Sequence, residues 1–280
     1  MKKTRVKFWG VRGSMAVPGK SSLEMGGNTS CVEISCGDDM IICDAGTGIR
    51  ELGNTLIRQK KHPIKAHILL SHVHWDHYIG LPFFKPLYNS DNSFVIGGPK
   101  PEHYDFGEAI SHAMRPPFFP IPTDAIPAKI RFKTISEKRF IIGKVKVVPI
   151  FVNHPGGAFG WRFDLPDGKK IAHITDNEPD GSKSFTKIVK WLSGVDVLIH
   201  DAQYLPSEYS KRKSWGHSPF TYPVEITKAA NVKNLYLFHF DPDSNDLKLK
   251  RELVSARKYS KKIGSSTKVK LAIEGKTFEL

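Results

Sequence analysis

Hydrophobic and polar positions are arranged along this chain in patterns that predict both strands and helices. Apolar runs, continuous or with period two, predict strands near positions 4–9, 29–35, 39–43, 66–70, 94–96, 139–151, 158–163, 171–175, 196–200, 234–239 and 268–273. Apolar positions three or four residues apart predict helices near 47–60, 184–193, 222–231 and 246–260. Because the strands come in batches between helices, the pattern predicts a mixed α/β architecture with sheets inside and helices outside.

One stretch breaks this pattern. Between residues 97 and 129, prolines occur at positions 99, 101, 116, 117, 120, 122 and 127, with Phe118 and Phe119 among them. The prolines predict a long irregular segment, and such segments often cover a binding site. Two interpretations stay open: a lid over a cleft, and a surface insertion packed by its own aromatic residues.

Composition indicates an ordered globular protein, because 40% of the 280 residues are hydrophobic and 25% are charged. The sequence shows no internal repeats. The basic first residues lack an apolar stretch of about ten, and no run approaches the roughly 20 apolar residues of a membrane span. We therefore expect a cytoplasmic protein without a membrane partner. Cys31, Cys36 and Cys43 then predict reduced thiols and no disulfide framework.

The charge balance favours anionic partners. Lys and Arg number 42 against 28 for Asp and Glu, a formal net charge of +14. The excess is spread along the chain, so it makes a phosphate-bearing substrate plausible without selecting one.

Several strand-like runs end on a side chain that can bind a metal ion. HILLSHVHWDH leads to His72 and His74, VVPIFVNH ends at His154, KIAHITD at Asp176, and NLYLFH at His239. A residue just past a strand is held by a rigid element and is free to face a cleft. We therefore expect these strand ends to meet in one site.

The first cluster is dense enough to suggest two metal ions. His72 and His74 are two residues apart and can point to one side, while Asp76 and His77 follow where the chain can turn into a helix. Imidazole and carboxylate ligands suit zinc, manganese or iron, and a carboxylate can bridge two ions. Two metals about 3.5–4 Å apart are a recurring device for hydrolysis.

The segment SHVHWDH resembles the hallmark of the metallo-β-lactamase superfamily, and the resemblance continues through FWGVRGS, GGNTSCVEI and IICDAGTGI. It implies a four-layer αββα sandwich of two mixed β-sheets flanked by helices. Residues 1–280 would form a single hydrolase domain with the proline-rich insertion at about 97–129.

The resemblance also implies a ligand set with two divalent ions, zinc first, with manganese and iron as alternatives. One ion would be held by His72, His74 and His154, and the other by Asp76, His77 and His239. Asp176 would bridge them, and Asp44, at the end of MIICD, would support a ligand histidine.

A second motif, LIHDAQYLPSEYSKRKSWGHSPF, resembles the phosphodiesterase branch, which includes tRNase Z and the cyclic-nucleotide and phosphonate-pathway phosphodiesterases. In that branch an acidic residue of a His-Glu-Ala-Thr segment orients a histidine of a Gly-His-Ser segment. The matching residues here are Asp201 and His217, and Asp201 is one methylene shorter than the glutamate of the family.

These motifs predict a phosphodiesterase that uses His217, Asp201 and Asp76 in catalysis and acts on a small nucleotide-like diester such as a 3′,5′-cyclic nucleotide. The alternatives are a tRNase-Z-like endoribonuclease and a non-catalytic, metal-containing sensor. The expected partner is an anionic phosphodiester, with nucleic acid and a second copy of the chain as further candidates.

Overall fold

The computed structural model describes residues 3–60, 63–101 and 103–280. The strands are β1 (Arg5–Gly10), β2 (Cys31–Cys36), β3 (Asp39–Cys43), β4 (Lys65–Leu69), β5 (Ser93–Pro99), β6 (Lys129–Ile135), β7 (Phe140–Ile142), β8 (Val145–Val152), β9 (Ala158–Asp164), β10 (Lys170–Ile174), β11 (Val197–Asp201), β12 (Asn234–Phe238), β13 (Lys268–Leu271) and β14 (Thr277–Glu279). The helices are α1 (Ile49–Arg58), α2 (Trp75–Tyr78), α3 (Phe106–Ala113), α4 (Ser182–Trp191), α5 (Pro206–Tyr209), α6 (Thr221–Ala229) and α7 (Asp246–Lys262).

The strands form two seven-stranded sheets, in the orders β14-β1-β2-β3-β4-β5-β6 and β13-β12-β11-β10-β9-β8-β7. Both sheets are mixed. In the first, β3 to β6 are parallel and β14, β1 and β2 are antiparallel to their neighbours. In the second, β10 to β13 are parallel, and β9, β8 and β7 continue in antiparallel pairing.

Two hydrophobic cores hold the layers together. One lies between the sheets, where the rings of Phe8 and Phe238 pack with centroids 6.2 Å apart, and it continues under α4, α6 and α7. The other lies on the outer face of the first sheet, where Ile68 packs with Leu52 of α1 and Ile110 of α3. Helices thus flank both sheets, and the predicted αββα sandwich is confirmed.

The proline-rich segment contains more regular structure than its composition predicts. Helix α3 begins at a capping box, in which the Asp105 side chain accepts the N–H of Gly107 and Glu108 accepts the N–H of Asp105. The prediction of a long irregular stretch is therefore wrong for Phe106–Ala113, and irregular chain is concentrated around the prolines after it.

Other differences concern strands. The run 139–151 is not one strand but the pair β7 and β8, which reverses at Gly143 with a φ angle of 53°. β6 was not predicted because charged residues alternate with its apolar ones at the sheet edge. Cys31 and Cys43 are buried, Cys36 is half-buried, and all three are free. No helix of the described residues has both the length and the apolar character needed to cross a bilayer.

Candidate metal centre

Six strands end at one edge of the sandwich. β3 and β4 are parallel, as are β10, β11 and β12, and β8 points the same way as β10 because β9 is antiparallel to both. Each strand ends on, or is soon followed by, a titratable side chain: Asp44, His72, His154, Asp176, Asp201 and His239. The topology therefore brings together side chains that are distant in the sequence.

The backbone just beyond three of these strands is unusual. Asp44, Asp176 and His239 have φ angles of 61°, 50° and 60°. A left-handed conformation costs a non-glycine residue roughly 1–2 kcal/mol. Such conformations cluster at functional sites, where the surrounding structure enforces them. Here the bends that follow β3, β10 and β12 place Asp44, Asp176 and His239 around His77.

Three imidazoles, which we call the histidine group, lie on one side of the cleft: His72, His74 and His154. One ring nitrogen from each lies within 4.8 Å of the others. His154 Nε2 is 3.0 Å from His74 Nδ1.

On the other side, Asp76, His77 and His239 form what we call the mixed group. His77 Nε2 lies 3.1 Å from Asp76 Oδ2 and 3.3 Å from His239 Nε2. His239 Nε2 is also 3.2 Å from Asp76 Oδ2. Asp76 and His77 lie on the single turn of α2, as the spacing of the motif predicts.

Asp176 lies between the two groups. Its Oδ1 is 4.0 Å from His72 Nε2 and 3.7 Å from His154 Nε2. Its Oδ2 is 3.1 Å from His77 Nε2 and 3.2 Å from His239 Nε2. Each carboxylate oxygen therefore faces a different group.

The imidazoles of the histidine group are uncharged, and one of their buried nitrogens has no hydrogen-bond partner in the part of the chain that the structure describes. Burial lowers the pKa of His72 well below its ordinary value and also lowers the pKa values of His74 and His154, so these rings are neutral. Among the described residues, His72 Nε2 is buried without a hydrogen-bond partner. Burying a nitrogen without a partner costs free energy. Neutral imidazoles are suitable ligands for a divalent cation, which would supply that partner. The residues present fit such an ion.

Carboxylates inside and around the mixed group control the protonation of His77. Burial opposes protonation of His77, but Asp76, Asp176 and Asp44 together raise its pKa well above the ordinary value. The pKa values of Asp76 and Asp176 are held well below their ordinary value, since the neighbouring histidines outweigh the effect of burial. Ionised carboxylates beside imidazoles complete a donor set suited to zinc, manganese or iron.

Further groups orient the histidines from behind. Asp44 Oδ2 is 2.9 Å from His77 Nδ1, the supporting position expected from the sequence. Gln203 Oε1 is 3.1 Å from His239 Nδ1, and His154 Nδ1 donates to the carbonyl oxygen of Gly216 at 2.9 Å. Each bond leaves the other ring nitrogen, Nε2, to face the cleft.

Asp201 and His217 are at hydrogen-bond distance, with 3.1 Å between Asp201 Oδ2 and His217 Nδ1. The shorter acid therefore reaches the histidine. Asp201 is fully buried and accepts the backbone N–H of Gln203 at 3.0 Å and those of Asn177 and Ser218 at 3.3 Å. Because so many donors hold the carboxylate, its orientation is fixed.

His217 faces the same cleft. Burial opposes its protonation, but Asp201 and, to a smaller extent, Asp176 raise the pKa of His217 to about 9. The ring lines a cleft of about 400 Å³ together with Ser14, Val73, His74, Trp75, Asp76 and Asp176. The structure thus brings every predicted site residue into or against one cleft.

The sequence did not single out Gln203, Gly216 or Glu178. Glu178 accepts the N–H of Gly216 at 2.9 Å and that of Ser214 at 2.7 Å, and so holds the loop that carries His217. Gly216 directly precedes His217 in the GHS motif, which was a usable signal. Gln203 and Glu178 gave none, because neither belongs to a strand-end pattern.

Comparison with known proteins gives a consistent picture. Residues 39–240 match the family model described as the beta-lactamase superfamily domain. A curated relative, ribonuclease Z of Picrophilus torridus, is 36% identical over 85 residues, which are 30% of this chain and 26% of that protein. The match thus spans about a quarter of the relative.

Two solved structures resemble the whole chain. The metallo-beta-lactamase fold protein YhfI of Bacillus subtilis matches with a TM-score of 0.72 and 16% identity over 100% of both chains. A diphosphatase of the PhnP family matches with a TM-score of 0.70 and 20% identity over 99% of this chain and 98% of that one. At these identities, the likeness establishes the fold.

Proposed function

We propose that this chain, which belongs to the beta-lactamase superfamily, is a metal-dependent hydrolase of phosphodiester bonds. The proposed substrate is a small nucleotide-like diester, such as a 3′,5′-cyclic nucleotide.

The position of Asp176 carries the proposal. One of its oxygens lies 3.7 Å from His154 of the histidine group, and the other lies 3.1 Å from His77 of the mixed group. A carboxylate shared in this way suits two cations held side by side.

The proposed ligands follow from this arrangement. The first ion would be held by His72, His74 and His154, the second by Asp76, His77 and His239, and Asp176 would touch both. Divalent ions held there would polarise the phosphate oxygens and lower the pKa of a water molecule. Asp76 would also face the substrate, since it lines the cleft.

We assign the proton for the leaving group to His217. Hydrolysis adds water to phosphorus and breaks the bond to an alkoxide, which needs a proton as it departs. Asp201 holds Nδ1 of His217 at 3.1 Å, and the other nitrogen, Nε2, is then the one that can donate to the alkoxide. A positioned donor of this kind contributes about 10²–10⁴ in rate.

An endoribonuclease is the second candidate. The relationship to a protein named ribonuclease Z and the net charge of +14 favour it. Both candidate functions use the same chemistry at phosphorus. They differ in the part of the substrate that extends beyond the cleft.

The deciding experiment compares substrates on one preparation of known metal content. We expect turnover of a 3′,5′-cyclic nucleotide that a chelator abolishes and zinc or manganese restores. Cleavage of a precursor tRNA with no turnover of cyclic nucleotides would favour the second candidate. Hydrolysis of a thioester alone would contradict both, and a metal-loaded protein inert to all substrates would favour the sensor alternative.

A further inference from the structure

Trp75 is a large apolar side chain in a mostly exposed position. It lies between His74 and Asp76 in the sequence, at the first position of α2, and 75% of it is exposed. Exposing an indole to water forgoes a substantial hydrophobic gain. An exposed aromatic ring beside a candidate phosphate site therefore suggests that a ligand covers it.

Trp75 belongs to two cavities at once. It lines the cleft of the metal centre and also a second cavity of about 570 Å³, which we call the aromatic groove. One wall of the groove is the chain from Trp75 to Phe83, and the other is α3 with Phe118 and Phe119. The two cavities are thus neighbours that share one side chain as a wall.

The lining of the aromatic groove is rich in exposed rings. Phe83 is 57% exposed and Phe118 is 69% exposed. The rings of Phe83 and Phe119 pack edge to face with centroids 5.9 Å apart, which braces the two walls against each other. A volume of this size is typical of small-molecule sites.

The groove also has a polar side. His112 of α3 lines it, and its ring centroid is 5.7 Å from that of Phe118. Arg115 lies outside the lining, with its Nη2 2.5 Å from His112 Nδ1, so a guanidinium is next to this side of the groove. A planar ligand can stack on the flat aromatic faces, and its hydrogen-bonding edge can meet the polar groups of this side. An aliphatic chain can do neither.

We propose that the aromatic groove binds the heteroaromatic base of a nucleotide whose phosphate lies in the metal cleft. This assignment rests on the proposed function, because it takes the phosphate group to be at the metal centre. Nucleic-acid bases stack on aromatic side chains with little dependence on which base is present, since every base has a π face. The proline-rich segment then has a role: it supplies Phe118 as one face of the base site.

Direct binding to the metal-loaded protein tests the assignment. The dissociation constants of adenosine 5′-monophosphate and of ribose 5-phosphate, which lacks the base, are measured by calorimetry. We expect the nucleotide to bind more tightly, and Phe118→Ala to weaken its binding roughly 5- to 100-fold, the usual range for loss of a stacking partner. Binding of ribose 5-phosphate should not change in the variant.

Two comparisons sharpen the test. Trp75→Ala should also reduce the preference for the nucleotide, whereas Ile141→Ala, which removes an exposed apolar side chain from β7, should leave it intact. The assignment is overturned if the wild-type protein binds both ligands equally, or if the preference survives both Phe118→Ala and Trp75→Ala. A protein that hydrolyses no diester but shows the Phe118-dependent preference would refute the proposed function and retain the base site.

Discussion

Gly216→Ala is a sharp test of how the histidine group is held. Gly216 has a φ angle of 89°, and its carbonyl oxygen accepts the hydrogen bond from His154 Nδ1. A Cβ atom at this position would lie 2.2 Å from His154 Nδ1 and 2.6 Å from Pro155 Cδ. The substitution therefore acts on a proposed ligand without changing any ligand.

The size of the effect follows from these distances. Carbon atoms pack at about 3.5–4.0 Å, so the imidazole must move by about 1 Å or more. Metal–ligand distances tolerate only roughly 0.2 Å, so His154 should leave the coordination sphere or distort it. Loss of a supporting contact typically lowers metal affinity by about 10–100-fold. The three atoms nearest the added Cβ belong to His154 and Pro155, so the mixed group should bind as before.

The assay is titration of the metal-free protein with zinc against a chelating indicator. We expect one of two binding steps to weaken by about 10–100-fold. Gly168→Ala is the matched control, because Gly168 has a φ angle of 83° and nothing lies within 4 Å of its added Cβ. It shares the backbone strain and should bind zinc like the wild type. Unchanged zinc affinity in Gly216→Ala would refute the reasoning.

Three other substitutions test separate parts of the molecule. Asp176→Ala should lose bound metal and diester turnover together, as measured by metal analysis and rate; a fully metal-loaded variant would contradict its shared position. His217→Ala should keep its metal and should lower the hydrolysis rate of a diester with an alkoxide leaving group by about 10²–10⁴. The rate should fall less for an ester that releases p-nitrophenolate, because this group departs without a proton. Equal effects on both esters would contradict the role of His217 as the acid. Glu252→Gln should stabilise the protein relative to the wild type, and the difference should grow with pH. Burial raises the pKa of the Glu252 carboxyl from 4.5 to about 8. In the wild type, the contribution of Glu252 to the free energy of unfolding is therefore complete below pH 4.5 and is lost as the pH rises to 8, by a few kcal/mol at most. Urea unfolding at pH 5 and pH 8.5 should show that widening difference, and a pH-independent difference would count against it.

The sequence allowed the meeting of the strand ends to be anticipated, because the proposed ligands obey a simple local rule. His72, His154, Asp176 and His239 each follow an apolar run, and parallel strands end at a common edge. Periodicity identified the runs, and the residue types are the basis of the proposed chemistry. The αββα layering came from the family resemblance, because periodicity alone gives strands without their partners.

Other features depended on contacts that periodicity does not encode. β6 carries charged residues in alternation, and the pairing that makes it a strand is with β5. Gln203 orients His239 across a long sequence separation, so nothing near either residue reveals the bond. The aromatic groove likewise forms only when Phe118 and Trp75, which are distant in the sequence, come to line one cavity.

The proposed ligands come from both halves of the sandwich. The HxHxDH cluster follows β4 of the first sheet, while His154, Asp176 and His239 follow strands of the second. An ion that binds only when the two sheets are packed together stabilises that packing by the free energy of its binding. At a free metal concentration about 1,000 times the Kd, the added stability is about 4 kcal/mol. Metal scarcity would therefore lower the resistance of the protein to unfolding and proteolysis as well as the proposed activity.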